Sequence, residues 1–248
     1  SLRLQIANAP NDTLKINLLN RLAAVLSSRD IKACLSLCDS IMTISKEAGY
    51  TPGLIDALQR KGFVHAIMGD LPKSSVVLNE ALQYLSESPD EQRRAAVLYA
   101  LGIAHIETGD FESAEPYFLE SHGIKVRRGN PEEMIKSLNG LSNLYRSVGD
   151  YVKTLEAYNE ALALTSQTEN YELKMLPLIG LGQFYSSQGD HAKALEYQLQ
   201  GEKYSERITD LDSRGKILVA IGGTYLRLKE YESSLNYYER GYELLQKI

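Results

Sequence analysis

Apolar residues along the chain recur at helical spacing on both sides of a short polar turn. The stripe around Gly149-Asp150 comprises Leu138, Leu141, Leu144, Tyr145 and Val148 before the turn, and Tyr151, Leu155, Tyr158, Ala161, Leu162 and Leu164 after it. Steps of three and four residues place such side chains on one side of an α-helix. The pattern predicts a helix over about residues 131–148, a turn, and a second helix.

This helix–turn–helix pattern repeats every 40 residues. The dipeptide Gly-Asp occurs at 69–70, 109–110, 149–150 and 189–190, and Arg29-Asp30 and Lys229-Glu230 occupy the flanking steps. We call the first residue of each dipeptide the anchor and number positions from it, with a minus sign for preceding residues. Glycine at the anchor suits a left-handed residue that ends the first helix, and Asp can cap the second. Six repeats predict a solenoid in which each helix pair buries its apolar side against its neighbours.

Residue size also repeats around the anchor. Position −7 carries a small residue in five repeats, namely Gly62, Gly102, Ser142, Gly182 and Gly222. Position −4 is His or Tyr, at His65, His105, Tyr145, Tyr185 and Tyr225. Position +9 carries Cys38, Leu78, Phe118, Tyr158, Gln198 and Tyr238. Small residues let two helix backbones approach closely, and a larger side chain fills the space beside them.

Three Pro-containing dipeptides indicate where first helices begin. Thr51-Pro52, Ser88-Pro89 and Asn130-Pro131 each fit a capping residue followed by Pro at the first helical position, where no N–H is needed. Pro116 and Pro177 are expected early in their helices, where the N–H groups have no intrahelical partner.

The repeat resembles the tetratricopeptide repeat, because Leu101-Gly102, Phe118, Tyr145 and Ala194 stand where that family has Leu-Gly, Phe, Tyr and Ala. The resemblance runs from Leu14 to Ile248. It implies an all-α, right-handed superhelical solenoid of six antiparallel helix pairs, with a lead-in at 1–13 and one domain over 14–248. The chain departs from the family in lacking Trp, and in having Lys-Glu for Gly-Asp in repeat six.

The 40-residue period is similar to the long-helix branch of that family. This branch includes kinesin light chains, mitotic-spindle adaptors with 40-residue repeats, and Rap-type regulators of bacteria. The period is also similar to that of the repeat regions ahead of bacterial sensor histidine kinases and nucleotide cyclases. The opening segment at 11–20 is especially similar to the start of such sensor regions.

Few residues indicate chemistry. Cys34 and Cys38 are four apart on one helix, a spacing a metal could use, but both occupy packing positions and lack further ligands nearby. His65 and His105 are one repeat apart and suit either a pH-sensitive pair or simple packing, which we favour. The sequence 125–128 is basic but too short to indicate nucleic acid, and it suits the negative end of a helix.

Composition excludes several function classes. The net charge is −5, from 27 basic and 32 acidic residues, whereas nucleic-acid binders are more often basic. Two cysteines give no disulfide framework, and no apolar run is long enough to span a membrane. No phosphate loop, His-Glu-x-x-His or Gly-x-Ser-x-Gly motif occurs, so we predict neither a cofactor nor a metal, and no enzyme.

The first helices are expected to line the concave side of the solenoid. Their exposed stripe is predicted at positions −10, −6 and −3, which gives the candidate ligand-binding residues Gln59, Phe63, Tyr99, Asn139, Asn143, Arg146, Gln183 and Ser186. The amide of Asn143 can pair with an extended peptide backbone, and Arg146 can hold a carboxylate. In the family that the repeat resembles, an Asn at the position of Asn143 contacts peptides in several members. The alternative is that these are solvated helix residues with no ligand.

The sequence therefore predicts non-catalytic binding of a protein or peptide segment. The resemblance favours the sensory or regulatory region of a bacterial signal-transduction protein, and a free-standing adaptor is the alternative. The start at Ser1 and the stop at the end of a helix fit an excised part of a longer protein, and the resemblance favours an output kinase or cyclase domain outside it. Two unpaired thiols suit the cytoplasm, and a trimmed signal peptide would instead leave a periplasmic region. A homodimer is compatible with this interpretation.

Overall fold

The computed structural model describes residues 2–247, which form α-helices joined by short turns and contain no strand. Thirteen α-helices occur in this range: α1 Leu2–Ala7, α2 Asp12–Leu26, α3 Ile31–Glu47, α4 Thr51–Ile67, α5 Leu71–Glu87, α6 Glu91–Glu107, α7 Phe111–Arg128, α8 Pro131–Ser147, α9 Tyr151–Leu164, α10 Tyr171–Ser187, α11 His191–Ser205, α12 Leu211–Arg227 and α13 Tyr231–Leu245. A 3₁₀ turn at Thr165–Gln167 follows α9. The predicted all-α repeat of helix pairs is confirmed, with α2 and α3 forming repeat one and α12 and α13 forming repeat six.

The chain divides between Arg127 and Arg128 into two compact units. The N-terminal unit holds α1 to α7, and its apolar core includes Leu58, Leu78 and Leu101, all fully or almost fully buried. The C-terminal unit holds α8 to α13, where Met175, Ile217 and Ile221 pack together across α10 and α12. Each unit therefore buries the apolar stripes of consecutive repeats against one another.

The turns adopt the predicted geometry. Gly69, Gly109, Gly149 and Gly189 have φ of 73°, 78°, 77° and 79°, in the left-handed region that glycine tolerates best. The Asp after each of them accepts a hydrogen bond from a backbone N–H three residues later, as when Asp150 Oδ1 accepts from Lys153 at 3.1 Å. Lys229 has the same conformation, with φ 64°, although it carries a side chain. The following Glu230 makes no capping bond.

Two of the three predicted first-helix starts are wrong. Asn130 caps α8 as expected, since its Oδ1 accepts from Glu132 N–H at 3.0 Å. Thr51 instead lies inside α4, whose N-cap is Tyr50. Ser88 ends α5, and Asp90 caps α6 by accepting from Arg93 N–H at 3.0 Å. A carboxylate one residue beyond Pro89 outcompetes the Ser-Pro signal because it accepts strongly at a helix N-terminus.

The expectation for Pro116 and Pro177 is also corrected. Both lie inside their helices, as the sixth residue of α7 and the seventh of α10. There a normal residue would donate to the carbonyl four residues earlier. Packing of the apolar side of each helix therefore outweighs one lost backbone hydrogen bond.

Close approach at position −7 is confirmed. A methyl group on Gly182 would lie 2.8 Å from Gln198 Cγ, and one on Gly222 would lie 3.1 Å from the Tyr238 ring. Gly102, at the same position of repeat three, packs on the Phe118 ring. In each case the neighbour is the residue at position +9 of the same repeat.

The cysteines and histidines pack as favoured above. Cys34 and Cys38 are fully buried in one apolar cluster, and burial raises the pKa of Cys38 to about 12, so it is a thiol at neutral pH. His65 is buried, and His105 stacks on Tyr117 with its Nδ1 3.0 Å from Asp110 Oδ2. The basic sequence at 125–128 ends α7 as predicted. Arg127 there pairs with Glu91 at 3.2 Å.

Candidate functional site

The predicted binding stripe is less exposed than its sequence pattern indicated. Gln183 alone among the eight residues is exposed, and the other seven are half-buried. The expectation that these side chains stand free in solvent is therefore corrected. Gln59, Phe63 and Tyr99 lie in the N-terminal unit, and the remaining five in the C-terminal unit.

The aromatic members of the stripe in the N-terminal unit are packed. Phe63 lies against the core cluster of that unit. Tyr99 meets the Phe118 ring edge-on, with centroids 5.2 Å apart, and Lys125 Nζ lies 4.7 Å from the Tyr99 ring centroid. Burial raises the pKa of Tyr99 to about 12, so its phenol stays protonated. These contacts give Phe63 and Tyr99 a packing role in the N-terminal unit.

In the C-terminal unit the stripe forms a polar cluster around Asn143. The hydroxyl of Tyr158 donates to Asn143 Oδ1 at 3.2 Å, and Arg146 Nη2 donates to the same oxygen at 3.4 Å. Burial raises the pKa of Tyr158, and the nearby Arg146 guanidinium opposes that rise only in part. The Asn143 carbonyl is thus already used within the protein, and its amide N–H groups remain the ones that a ligand could bind. Ser186 and Asn139 lie half-buried on the neighbouring positions of the stripe.

Arg146 is held in place without an acidic partner. Its Nε is buried and has no hydrogen-bond acceptor. No carboxylate among residues 2–247 forms an ion pair with it, whereas Arg93 in the same range pairs with two carboxylates and Arg240 with one. A guanidinium carries five N–H donors and a permanent charge. The arrangement can therefore accept a carboxylate with both charge and hydrogen bonds.

Sequence reasoning missed the contribution of position +9 to the packing beneath this stripe. In the N-terminal unit that position is apolar, with Cys38, Leu78 and Phe118. In the C-terminal unit it carries Tyr158, Gln198 and Tyr238, whose polar ends extend beyond the close helix contact. The change from apolar side chains to side chains with polar ends is visible in the sequence.

Gln198 shows that this row is not fully satisfied within the protein. Its side chain is 5% exposed, and its buried Oε1 has no hydrogen-bond partner among the described residues. It packs beneath Gly182, one residue before Gln183 of the stripe. An unpaired buried acceptor costs free energy, so this position is less well satisfied than its neighbours.

The described residues offer little support for other kinds of site. No group of three or more His, Cys, Asp or Glu side chains in that part of the chain could hold a metal ion. Within residues 2–247 no helix is both long and apolar enough to cross a bilayer.

Comparison with known proteins agrees with this architecture. A model of the tetratricopeptide repeat matches residues 54–125 and 133–207, and a second model of the same repeat matches 215–244. No curated protein sequence matches the chain significantly.

Solved structures share the fold at low sequence identity. BtubC from P. vanneervenii has a TM-score of 0.74 and 14% identity, over 88% of this chain and 92% of that one. A Rap protein complexed with competence and sporulation factor has a TM-score of 0.72 and 18% identity, over 99% of this chain and 68% of that one. NprR in complex with its cognate peptide NprX has a TM-score of 0.65 and 15% identity, over 97% of this chain and 70% of that one.

Proposed function

The chain belongs to the tetratricopeptide repeat family, and we propose that it binds an extended peptide or partner segment through the first helices of its C-terminal unit. The role is recognition without catalysis. The fold is typical of protein and peptide binding, and two structurally similar proteins were solved with a bound factor or peptide.

Arg146 is the observation that carries the proposal. It is a half-buried cation with a buried, unpaired Nε and no acidic partner among the described residues. A guanidinium that is partly desolvated and oriented by Asn143 and Tyr158 is prepared to bind an anion without much loss of side-chain freedom. We therefore assign Arg146 to an acidic side chain or terminal carboxylate of the ligand, and the Asn143 amide N–H groups to a ligand carbonyl.

The test is selection from a displayed library of random 12-residue peptides, followed by affinity measurement with synthetic copies of the enriched peptides. Arg146→Gln should weaken their binding by roughly 10- to 150-fold, because one charge-assisted pair is lost. Arg207→Gln is the matched control, since Arg207 is an exposed arginine of the same unit. Arg146→Gln is preferable to Asn143→Ala, which would also remove the acceptor of the buried Tyr158 hydroxyl. Equal affinity for wild-type protein and the Arg146 variant would refute the assignment.

We propose further that this binding serves signal transduction. NprR, one of the structurally similar proteins, is a quorum sensor, and another such repeat is the sensor of a signal-transduction ATPase from Pyrococcus horikoshii. The neighbouring coding sequence tests this assignment: an output kinase or cyclase domain would support it, and an isolated repeat protein would favour an adaptor.

A further inference from the structure

The first-helix stripe of the C-terminal unit changes in chemistry from one repeat to the next. At positions −10, −6 and −3, repeat four carries Asn139, Asn143 and Arg146, repeat five carries Ile179, Gln183 and Ser186, and repeat six carries Val219, Gly223 and Leu226. These helices are consecutive in one compact unit: α8 contacts α10, and Met175 of α10 packs with Ile217 and Ile221 of α12. The stripe is therefore polar and cationic at one end and apolar at the other.

The apolar end contains a notch. Val219 and Leu226 are 36% and 47% exposed, although both are large aliphatic residues. Gly223 lies between them on the same side of α12 and has no side chain to fill the space. A methyl group there would lie 3.3 Å from the Tyr238 hydroxyl oxygen, so this tyrosine forms the floor of the notch.

We infer that the ligand of the C-terminal unit is an extended peptide with an acidic residue at one end of the binding segment and a large aliphatic or aromatic residue at the other. This inference rests on the proposed function, because Arg146 fixes where the acidic residue binds. The notch at Val219 and Leu226 takes the apolar side chain, and the exposed Gln183 amide between the two ends faces the peptide main chain.

The spacing of the two ligand residues follows from the helix packing. Contacting helices lie roughly 10 Å apart, so two steps from α8 to α12 span roughly 20 Å. An extended chain advances about 3.3 Å per residue, which gives roughly six residues between the acidic and the apolar side chains. A helical ligand would advance only about 1.5 Å per residue and would need roughly 13 residues.

The charge on Arg146 supports a peptide in this stripe over a second copy of the chain packed by its apolar patch alone. An apolar contact at repeat six would leave the partly buried guanidinium of repeat four unpaired. An acidic peptide satisfies both ends at once, and the two contacts on one linked ligand reinforce each other.

The experiment uses the full chain and the library of random 12-residue peptides. Enriched peptides should carry Asp or Glu about five to seven positions from Leu, Ile, Met or Phe. Leu226→Ser should weaken their binding about five- to thirtyfold through lost apolar contact. Leu235→Ser should leave peptide binding unchanged, because Leu235 is also an exposed leucine of this repeat but lies on the second helix, outside the stripe. Arg146→Gln should remove the preference for acid while retaining the preference for an apolar residue.

Two results would overturn the inference while leaving the proposed function intact. The first is a set of peptides that depend on Arg146 but bind the Leu226→Ser protein as tightly as wild type. The second is an apolar residue only two or three positions from the acidic residue of the peptide, because an apolar side chain so close to Arg146 could not reach the notch on α12. Peptides that bind independently of Arg146, or no enriched peptide at all, would instead refute the proposed function.

Discussion

Among the described glycines of the C-terminal unit, Gly180 leaves the least room for an added methyl group. It lies inside α10, at position −9 of repeat five, against the ring of Tyr158 from repeat four. A methyl group at Gly180 would lie 2.7 Å from the Tyr158 hydroxyl oxygen and closer still to two ring carbons. The ring is fully buried and its hydroxyl is bonded to Asn143, so it cannot move without breaking that bond.

Gly180→Ala should therefore lower the free energy of unfolding by about 1–3 kcal/mol. Overpacking costs about 1–3 kcal/mol, and the disturbed Tyr158–Asn143 hydrogen bond costs about another 1 kcal/mol. The better helix propensity of Ala returns about 1 kcal/mol. Gly123→Ala is the matched control, because a methyl group on this glycine of α7 would meet only Arg127 Nη1, at 3.8 Å. That control should raise the free energy of unfolding by up to about 1 kcal/mol.

Urea unfolding followed by far-ultraviolet circular dichroism measures both variants. The Tyr158→Leu background provides a second check, because a smaller side chain there should abolish most of the cost of Gly180→Ala. If Gly180→Ala were as stable as Gly123→Ala, with an unchanged dependence on urea, then the close contact between repeats four and five would not exist as described.

Three further predictions concern the turns and a buried histidine. Lys229→Gly should raise the free energy of unfolding by about 1 kcal/mol because glycine tolerates φ 64° best, whereas Lys229→Ala should not raise it. Equal free energies of unfolding for the two variants would contradict this. Asp150→Ala should lower the free energy of unfolding by about 0.5–2 kcal/mol, because the cap of α9 is lost. An unchanged urea midpoint would show that this capping hydrogen bond does not stabilise the protein. Burial lowers the pKa of His65 despite the opposing charge of Asp70, so its contribution to stability is complete above about pH 6.5 and is lost as the pH falls through the folded-state pKa. Between pH 7 and 5 the wild type should therefore lose more stability than His65→Tyr, and parallel pH profiles would contradict that.

The repeat itself could be predicted because each of its signals acts locally. Glycine at the anchor and Asp after it specify a turn and a cap whatever surrounds them, and Gly149 and Asp150 do so as expected. The signal at Ser88-Pro89 failed because two local signals competed, whereas α4 begins one residue early at Thr51 with no capping bond from Tyr50. Asp90 could cap α6 more strongly than Ser88, and the sequence offered no measure of that competition.

The candidate site was harder to predict because it depends on contacts between helices. The positions of Asn143 and Arg146 on one helix side followed from spacing alone. Their burial, and the use of the Asn143 carbonyl by Tyr158, depend on a side chain from α9. Likewise, Gly223 becomes part of a notch only because Tyr238 from α13 lies beneath it. The polar residues at position +9 could be seen in the sequence, but only the structure shows that they pack against the first helices.

The central claim is that Arg146 binds an acidic group of the ligand, and a double-mutant cycle tests it most directly. One enriched peptide and its Asp→Asn or Glu→Gln counterpart are titrated by calorimetry into the wild-type protein and into Arg146→Gln. If the two groups form a pair, the acidic substitution should weaken binding to wild type by roughly 5- to 150-fold and should have little further effect on the variant. An acidic substitution that weakens binding equally in both proteins would contradict the claim and would place the carboxylate away from Arg146.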